Sequence, residues 1–215
     1  MWNTIGGREA GKVNYSMKNH IRLIVSALFI SVSLTLLLWG FLPSRRETVS
    51  TPLAIPAGMT ALPEARTIHF TYSPVTRSGD SQVVELNLSA DGGLDGASLY
   101  EETNVIVEAR LEFEGADVRP ADLVSAALDE GGAPTFYWEV TPRGEGEARG
   151  TVWLYLRFVP KEGGPSGETR GPVSAQLVAI RSTSMLGRTG SEARVWGVVG
   201  CLIGLGILAL RRRTK

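Results

Sequence analysis

Residues that could bind calcium are spaced along one acidic stretch. Asp91, Asp95, Gly96 and Glu102 occupy positions one, five, six and twelve of a calcium-binding loop, in which oxygen ligands surround a sharp glycine turn. Position three is Gly93, which has no side-chain oxygen, and the flanking segments have the pattern of strands rather than helices. We therefore interpret this stretch as an acidic hairpin loop.

A second stretch resembles a nucleotide-binding motif. Gly6–Lys12 matches the start of a phosphate-binding loop, G-x-x-x-x-G-K. The next residue is Val13, where that loop needs serine or threonine to contact magnesium. The five residues before Gly6 are also too few to supply the strand that precedes such a loop. We interpret the segment as part of a basic tail.

His69 is the base that a Ser-His-Asp hydrolase would require. It alternates with the apolar residues Ile68 and Phe70, so we expect it on the solvent side of a strand, and the sequence contains no G-x-S-x-G elbow. One Cys and two His leave little material for zinc binding or acid–base chemistry. We expect a non-enzymatic protein with no catalytic residue, cofactor or metal; a membrane-tethered hydrolase with a carboxylate pair is an alternative.

The net charge of zero over 215 residues hides a strong segregation. Residues 1–22 carry four basic residues against one acidic residue, and the last five residues carry four basic ones. Residues 45–194 hold 14 basic and 21 acidic residues. This acidic middle would repel phosphate, which argues against nucleic acid as a partner.

Two uncharged apolar runs bracket the acidic middle. As a helix, residues 23–42 would be about 30 Å long, which matches the hydrocarbon thickness of a bilayer. Residues 195–210 would reach about 24 Å and end at Arg211–Arg213, whose side chains extend to the interface. We predict two transmembrane helices. The alternatives are a cleaved secretory signal for the first run and a buried core helix for the second.

The short basic tails predict the orientation. Long loops cross a membrane largely regardless of their charge, whereas basic residues in short tails are retained in the cytoplasm. We therefore predict that residues 1–22 and 211–215 are cytoplasmic and that the acidic middle is extracytoplasmic. This arrangement describes a two-pass protein of the cell membrane.

The acidic middle has the pattern of an all-β domain. Residues 43–66 contain four prolines and no period, and we predict a linker there. Apolar and polar residues then alternate, as they do in half-buried antiparallel strands. The alternating segments are 67–74, 82–89, 105–113, 135–141, 151–159 and 172–182.

The number of these segments indicates the fold class. Residues 117–130 fit a short helix or an edge strand, and we favour the strand. The sequence thus predicts a mainly β fold, an antiparallel immunoglobulin-like sandwich of six or seven strands over residues 67–182. Residues 183–194 would be a connector to the second transmembrane helix.

Aromatic residues mark a candidate interaction face. We predict a hairpin of residues 135–141 with 151–159, joined by a turn at Gly144–Gly150. If Trp138 faces the core, three aromatic side chains share the opposite face. They are Tyr137, Trp153 and Tyr155. Either another strand or residues 117–130 cover this face, or it binds a protein, a sugar or the membrane surface.

Two glycines mark a candidate helix-packing face. Gly200 and Gly204 lie four residues apart in the second apolar run, where they would let another helix approach closely. Three partners fit this face: the first span of the same chain, a second copy in a homodimer, or a different protein.

The stretch FYWEVTPRGEGEARGTVWLYLRFVP (136–160), followed by a membrane span, resembles uncharacterised bacterial two-pass membrane proteins with an extracytoplasmic immunoglobulin-like β-sandwich. The resemblance rests on Trp-x-Val-x-Pro followed by Gly-Thr-Val-Trp-Leu-Tyr-Leu. It implies a location in the bacterial envelope, and it carries over no catalytic residue to this chain.

These features favour a membrane protein that presents its sandwich outside the cytoplasm and binds or scaffolds an envelope protein. An accessory subunit of a membrane transport or secretion complex is the alternative, in which the helices carry the interaction.

Overall fold

The computed structural model describes residues 9–92, 98–161 and 167–213. The chain divides into two units: one contains the residues up to Pro43 and from Met185, and the other is the β unit Ser44–Ser184. In chain order the elements are α1 (Glu9–Phe41), β1 (Glu47–Pro52), β2 (Arg66–Tyr72), β3 (Val75–Arg77), β4 (Gln82–Ala90), α2 (Ser98–Glu102), β5 (Thr103–Glu114), β6 (Ala116–Arg119), β7 (Val124–Leu128), β8 (Thr135–Pro142), β9 (Gly146–Pro160), β10 (Thr169–Thr183) and α3 (Gly190–Arg213).

The first unit is an antiparallel pair of long helices, α1 and α3. Within them, Leu23–Phe41 and Gly190–Leu210 are apolar and long enough to cross a membrane, with mean hydropathies of 2.2 and 2.0. The pair is antiparallel because Gly40 lies beside Arg194, whereas Gly204 lies beside Ile30. The first apolar run predicted from the sequence is thus the C-terminal part of α1, and the second lies within α3.

α3 begins at Gly190, inside the connector that we predicted over residues 183–194. Thr189 and Glu192 form a capping box: the Glu192 N–H donates to Thr189 Oγ1 at 3.2 Å, and the Thr189 N–H donates to Glu192 Oε2 at 3.0 Å. β10 reaches Thr183, and a tight turn over residues 185–188 precedes the helix. The segment that joins β10 to α3 is therefore residues 184–189, which is shorter than the predicted connector.

The β unit is a sandwich of two five-stranded sheets. Sheet A has the strand order β1-β2-β4-β8-β6, and sheet B has the order β3-β10-β9-β5-β7. Paired strands are antiparallel, except that β3 runs parallel to β10. The mainly β, immunoglobulin-like sandwich that the alternation predicts is confirmed, although the described residues form ten strands instead of six or seven.

Alternate residues of both sheets fill the space between them. Phe136 and Trp138 of β8 are buried from sheet A, and Leu154 and Leu156 of β9 are buried from sheet B. Each of these large apolar side chains contributes about 1.5–3 kcal/mol when it leaves water. The intervening residues of the same strands point outward, so the two outer faces carry the residues available for binding.

Short edge strands account for the higher strand number. β1 lies inside the linker that we predicted over residues 43–66, and all six of its residues are exposed. Apolar alternation therefore does not mark β1, although its threonines favour extended backbone. β3 has only three residues, and the ambiguous segment 117–130 contains β7 and most of β6, so the preference for strand over helix there is confirmed.

The predicted hairpin of residues 135–141 with 151–159 is wrong. β8 pairs with β4 and β6 in sheet A, whereas β9 pairs with β5 and β10 in sheet B. The prediction placed Gly150 in a turn, but this residue lies within β9. A Cβ at Gly150 would lie 2.5 Å from the carbonyl oxygen of Glu112. This glycine permits a close approach of β5 to β9, and the chain crosses between the sheets before it.

Candidate functional site

The three aromatic residues that we predicted on one face lie on two different sheets. Tyr137 is on β8 and is 56% exposed on the outer face of sheet A. Trp153 and Tyr155 are on β9 and lie on the outer face of sheet B. The structure therefore brings Trp153 and Tyr155 together and separates Tyr137 from them.

Around the two β9 aromatic residues lies a cluster of charged side chains. β9 is the central strand of sheet B, and its outward residues are opposite those of β5 and β10. Tyr155 is paired with Glu108 of β5, and Arg157 is paired with Arg170 of β10. We call these five residues the sheet-B face: Glu108, Trp153, Tyr155, Arg157 and Arg170.

Glu108 is the centre of the sheet-B face. Its side chain is only 5% exposed although it points outward. Arg170 Nε donates to Glu108 Oε2 at 2.6 Å, and Arg157 Nη1 lies 3.7 Å from Glu108 Oε1. Burial of an unpaired carboxylate costs several kcal/mol of stability, so the contacts of Glu108 with its two arginines are favoured. Glu108 therefore holds both guanidinium groups in defined positions.

Two further contacts order the same arginines. Arg157 donates to both carboxylate oxygens of Glu168, at 2.6 and 3.0 Å, and this guanidinium holds the pKa of Glu168 below its usual value. The Arg170 guanidinium lies 5.0 Å from the centre of the Tyr155 ring, within the range of a cation–π interaction. The face thus presents aromatic and arginine side chains, the types enriched at binding hot spots.

A pocket of about 590 Å³ continues the sheet-B face at one end. Its apolar lining includes Ile106 and Val159, while Arg157 and Lys161 add positive charge. The turn after β7 adds the carboxylates of Asp129 and Glu130. Such a mixed lining fits a side chain with an apolar stem and a charged end.

A buried polar network supports one wall of this pocket. Arg66 forms an ion pair with Glu64 and donates to the carbonyl oxygens of Gly132 and Asp129 at 2.5 and 3.2 Å. The Tyr100 hydroxyl donates to Glu64 Oε1 at 2.6 Å. Burial and this hydrogen bond raise the pKa of Tyr100 to about 12. The network thus positions Tyr100, which lines the pocket.

The predicted helix-packing glycines lie in the contact between α1 and α3. A Cβ at Gly204 would lie 2.6 Å from Ile30, and one at Gly200 would overlap the Ser33 side chain. Ser26 Oγ donates to the Gly204 carbonyl oxygen at 2.7 Å. Of the three partners that fit the glycine face, the first span of the same chain is the one that occupies it.

The helix pair also carries an apolar groove of about 400 Å³. Phe29 and Val32 of α1 and Val199 and Ile203 of α3 line it, and Trp196 stands at one end. The Arg188 guanidinium lies 5.3 Å from the centre of a Trp196 ring. A tryptophan and an arginine at the end of an apolar helix pair are typical of the membrane–water interface.

His69 lies on the outer face of sheet A, between two serines. Ser50 Oγ is 2.8 Å from His69 Nδ1, and Ser89 Oγ is 2.9 Å from His69 Nε2. A hydrolase triad requires a carboxylate on one ring nitrogen, and here a serine occupies each. The arrangement links β1, β2 and β4 and does not assemble the hydrolase base considered from the sequence.

Parts of two motifs considered from the sequence lie outside the described residues. These are Gly93, Asp95 and Gly96 of the candidate calcium loop and Gly6 of the candidate phosphate loop. At the edge of the former, Asp91 accepts a hydrogen bond from the Thr67 hydroxyl.

Sequence reasoning missed Glu64, Arg66, Glu108 and Arg170. Glu64 and Arg66 lie at the end of the predicted linker, where nothing in the pattern indicates burial. Glu108 alternates with apolar residues within segment 105–113, so the pattern predicts only an ordinary outward position on its strand. Its partners Arg157 and Arg170 lie on β9 and β10. Only the strand order, which the sequence pattern does not contain, shows that β9 lies beside β5 and that β10 lies beside β9.

No family model and no curated protein matches the chain. Solved structures with some similarity include the complex between zinc 2-glycoprotein and prolactin inducible protein from human seminal plasma, at 14% identity, 65% of this chain, 97% of that chain and a TM-score of 0.33. The PapD-like domain 7 of human CEP192 has 15% identity, with 61% and 95% coverage and a TM-score of 0.33. WR4, a C. elegans MSP family member, has 13% identity, with 51% and 93% coverage and a TM-score of 0.27.

Proposed function

We propose that this chain is a two-pass membrane protein whose β-sandwich binds a protein partner through the sheet-B face. The observation that carries the proposal is the ordering of Tyr155 and two arginines around the buried Glu108 carboxylate, beside Trp153 on the same face of β9. Side chains that are already ordered lose less conformational entropy when a partner binds. This face is therefore better suited to binding than the outer face of sheet A, where Tyr137 is 56% exposed.

Insertion of α1 and α3 into a membrane is part of the proposal. Large apolar side chains on both helices are exposed, including Ile24 at 64%, Leu28 at 63% and Leu202 at 64%. Such a surface is unfavourable in water and suits hydrocarbon, where a helix satisfies its own backbone groups.

The basic tails support an orientation with both termini in the cytoplasm and the sandwich outside it. The antiparallel packing of α1 and α3 supports placement of the two termini on one side. The resemblance of residues 136–160 to bacterial envelope proteins supports the cell membrane as the location.

The proposed role is binding or scaffolding of an envelope protein without catalysis. Glu108 serves to order Arg157 and Arg170. The carboxylate of Glu64 in the second buried cluster is likewise engaged by Arg66 and Tyr100. Both carboxylates have structural partners, which favours a binding surface over a hydrolytic centre.

Crosslinking of the full-length protein in its own membranes, followed by pull-down, tests this proposal. The Trp153→Ala/Tyr155→Ala variant removes the aromatic part of the sheet-B face. Tyr137→Ala is the matched control, since it removes an exposed aromatic residue from the opposite sheet. We expect a partner that is captured by the wild type and by Tyr137→Ala and lost from the double variant at equal membrane levels.

A partner lost only from Tyr137→Ala would place the binding surface on sheet A and contradict the proposal. Capture of the same partner by all three proteins would show that Trp153 and Tyr155 are not required for binding and would also contradict the proposal.

A second candidate function is an accessory subunit of a membrane transport or secretion complex. The observation that favours it is the apolar groove between Phe29, Val32, Val199 and Ile203, which offers an apolar contact surface to another helix. Co-purification of a polytopic protein by the Trp153→Ala/Tyr155→Ala variant, and its loss from a Val199→Trp variant, would support this role.

A further inference from the structure

The four edge strands that the structure describes in the sandwich differ in how they are protected against pairing with another chain. β1 contains Glu47 and Pro52, β3 has only three residues, and β6 has four residues with two charges. Charges, prolines and short length are the features that block addition of a further strand. β7, with the sequence VSAAL, has five residues and neither a charge nor a proline.

The outer side of β7 is accessible in the described part of the chain. β7 pairs with β5 on one side, from Val105↔Leu128 to Ala109↔Val124, and it ends the strand order of sheet B. Ser125 and Ala127 are exposed. Small side chains at these positions leave the backbone donors and acceptors of the free edge within reach of an added strand.

Acidic residues flank this uncharged edge on both sides. Asp122 precedes β7, and Asp129 and Glu130 follow it; all three are exposed. A second copy that paired its β7 with this edge would bring acidic residues together in either direction, parallel or antiparallel. Like charges placed opposite each other in paired strands are destabilising, so a homodimer through β7 is disfavoured. A strand with basic ends is favoured by the same charges.

The pocket at the end of β7 supplies a place for a side chain of such a strand. Ala127, Leu128, Asp129 and Glu130 belong to its lining. A lysine or arginine next to the added strand can lay its apolar stem against Ile106 and direct its charge toward the two carboxylates. The two cations of the same lining have other partners: Arg157 donates to Glu168, and Lys161 donates to the Tyr100 carbonyl oxygen.

We propose that the free edge of β7 binds an extended segment of a partner protein by β-augmentation, and that this segment has basic residues on both sides of an uncharged stretch of about five residues. The proposal rests on the strand order and on the charges around β7. It is independent of whether Trp153 and Tyr155 bind a partner.

The test uses the full-length protein in detergent and a fluorescent nine-residue peptide with two lysines at each end and the centre Thr-Val-Thr-Val-Thr. Three forms of the peptide carry the same charge: the unmodified peptide, one with backbone N-methyl groups on alternate central residues, and one with N-methyl groups on all five. Alternate methylation leaves one hydrogen-bonding edge intact, whereas full methylation removes the donors of both edges.

We expect the first two peptides to bind and the fully methylated peptide to lose binding by more than tenfold. Binding of all three peptides with equal affinity would show a purely electrostatic contact and overturn the proposal. Hydrogen exchange should become slower at residues 124–128 in the complex. Protection at β1 in place of β7 would also overturn it.

The variant Asp122→Asn/Asp129→Asn/Glu130→Gln tests the charge requirement. Since exposed ion pairs are individually weak, we expect the peptide affinity to fall by roughly tenfold when all three are neutralised. The matched control is Glu47→Gln/Glu139→Gln/Glu145→Gln, which neutralises three exposed carboxylates elsewhere on the sandwich and should leave the affinity unchanged. Dimerisation of the wild type that the peptide displaces would instead identify a second copy as the occupant and contradict the proposal.

Discussion

Glu64 and Arg66 place two opposite charges where water is excluded, with side-chain exposures of 1% and 0%. The net contribution of such a pair to stability is small, because the cost of removing both charges from water offsets their attraction. The two residues nevertheless bind Gly132 and Tyr100, which belong to the turn before β8 and to α2. The pair therefore defines how these segments meet the start of β2.

Arg66→Met should destabilise the sandwich strongly, because it leaves the Glu64 carboxylate buried without its cation. We expect the free energy of unfolding to fall by about 3–5 kcal/mol. Denaturant unfolding of the full-length protein in detergent, followed by tryptophan fluorescence, measures this change. The Glu64→Gln/Arg66→Met double variant should recover a large part of the loss. A double variant as unstable as Arg66→Met would show that packing, and not the unpaired charge, causes the effect.

Tyr100 should make stability depend on pH in the alkaline range. Its pKa is about 12 in the folded protein and near 10 when it is unperturbed, so the folded state retains the phenol proton longer than the unfolded state does. This contribution is complete below pH 10 and is lost as the pH rises from 10 to 12. Tyr100→Phe should show a smaller loss of stability over that interval.

Ultraviolet difference titration gives a second measure of the same residue. The phenol ionisation near pH 12 should be missing from Tyr100→Phe. An unchanged titration above pH 11 would contradict the assignment.

At the scale of elements, apolar alternation predicted the strands that are buried on one side. Ile68, Val84, Leu111 and Leu154 mark such strands because one face of each strand must leave water. The same rule cannot detect β1, which is exposed on both faces. It also contains no information about which strands pair, and the hairpin of β8 with β9 failed for that reason.

The candidate site was predicted in part for the same physical reason. Trp153 and Tyr155 stand two residues apart on one strand, so their shared face follows from the pleat alone. Tyr137 belongs to another strand, and its relation to them depends on sheet order. Glu108 and Arg170 are 62 positions apart in the chain. They contact each other only because β5 and β10 are placed on either side of β9.

The contact between α1 and α3 allows a matched test of glycine packing. A Cβ at Gly197 would lie 2.6 Å from Leu37 Cγ and 3.0 Å from the Ser33 carbonyl oxygen, whereas a Cβ at Gly206 would meet nothing within 4 Å. Gly197→Ala should therefore destabilise the helix pair by roughly 1–3 kcal/mol, the usual range for overpacking. Thermal denaturation in mild detergent checks this, with Gly206→Ala as the control. Equal melting temperatures for the two variants would contradict the packing described for Gly197.

At the scale of the whole molecule, the proposed orientation predicts which residues an impermeant thiol reagent reaches. In a Cys201→Ala background, Leu177→Cys should react in intact cells, because Leu177 is 89% exposed on the proposed extracytoplasmic sandwich. Asn3→Cys should react only after the membrane is permeabilised. The reverse pattern would place the sandwich in the cytoplasm.

Two serines of α1 pack against a helix that is synthesised much later. Ser26 and Ser33 are buried against α3, which follows about 150 residues later, a delay on the order of ten seconds during synthesis at typical ribosome rates. In the proposed membrane setting, the first helix waits during that time with its small polar residues facing lipid or any neighbouring helix. During this interval another helix could pair with α1, and the synthesis of α3 ends that competition.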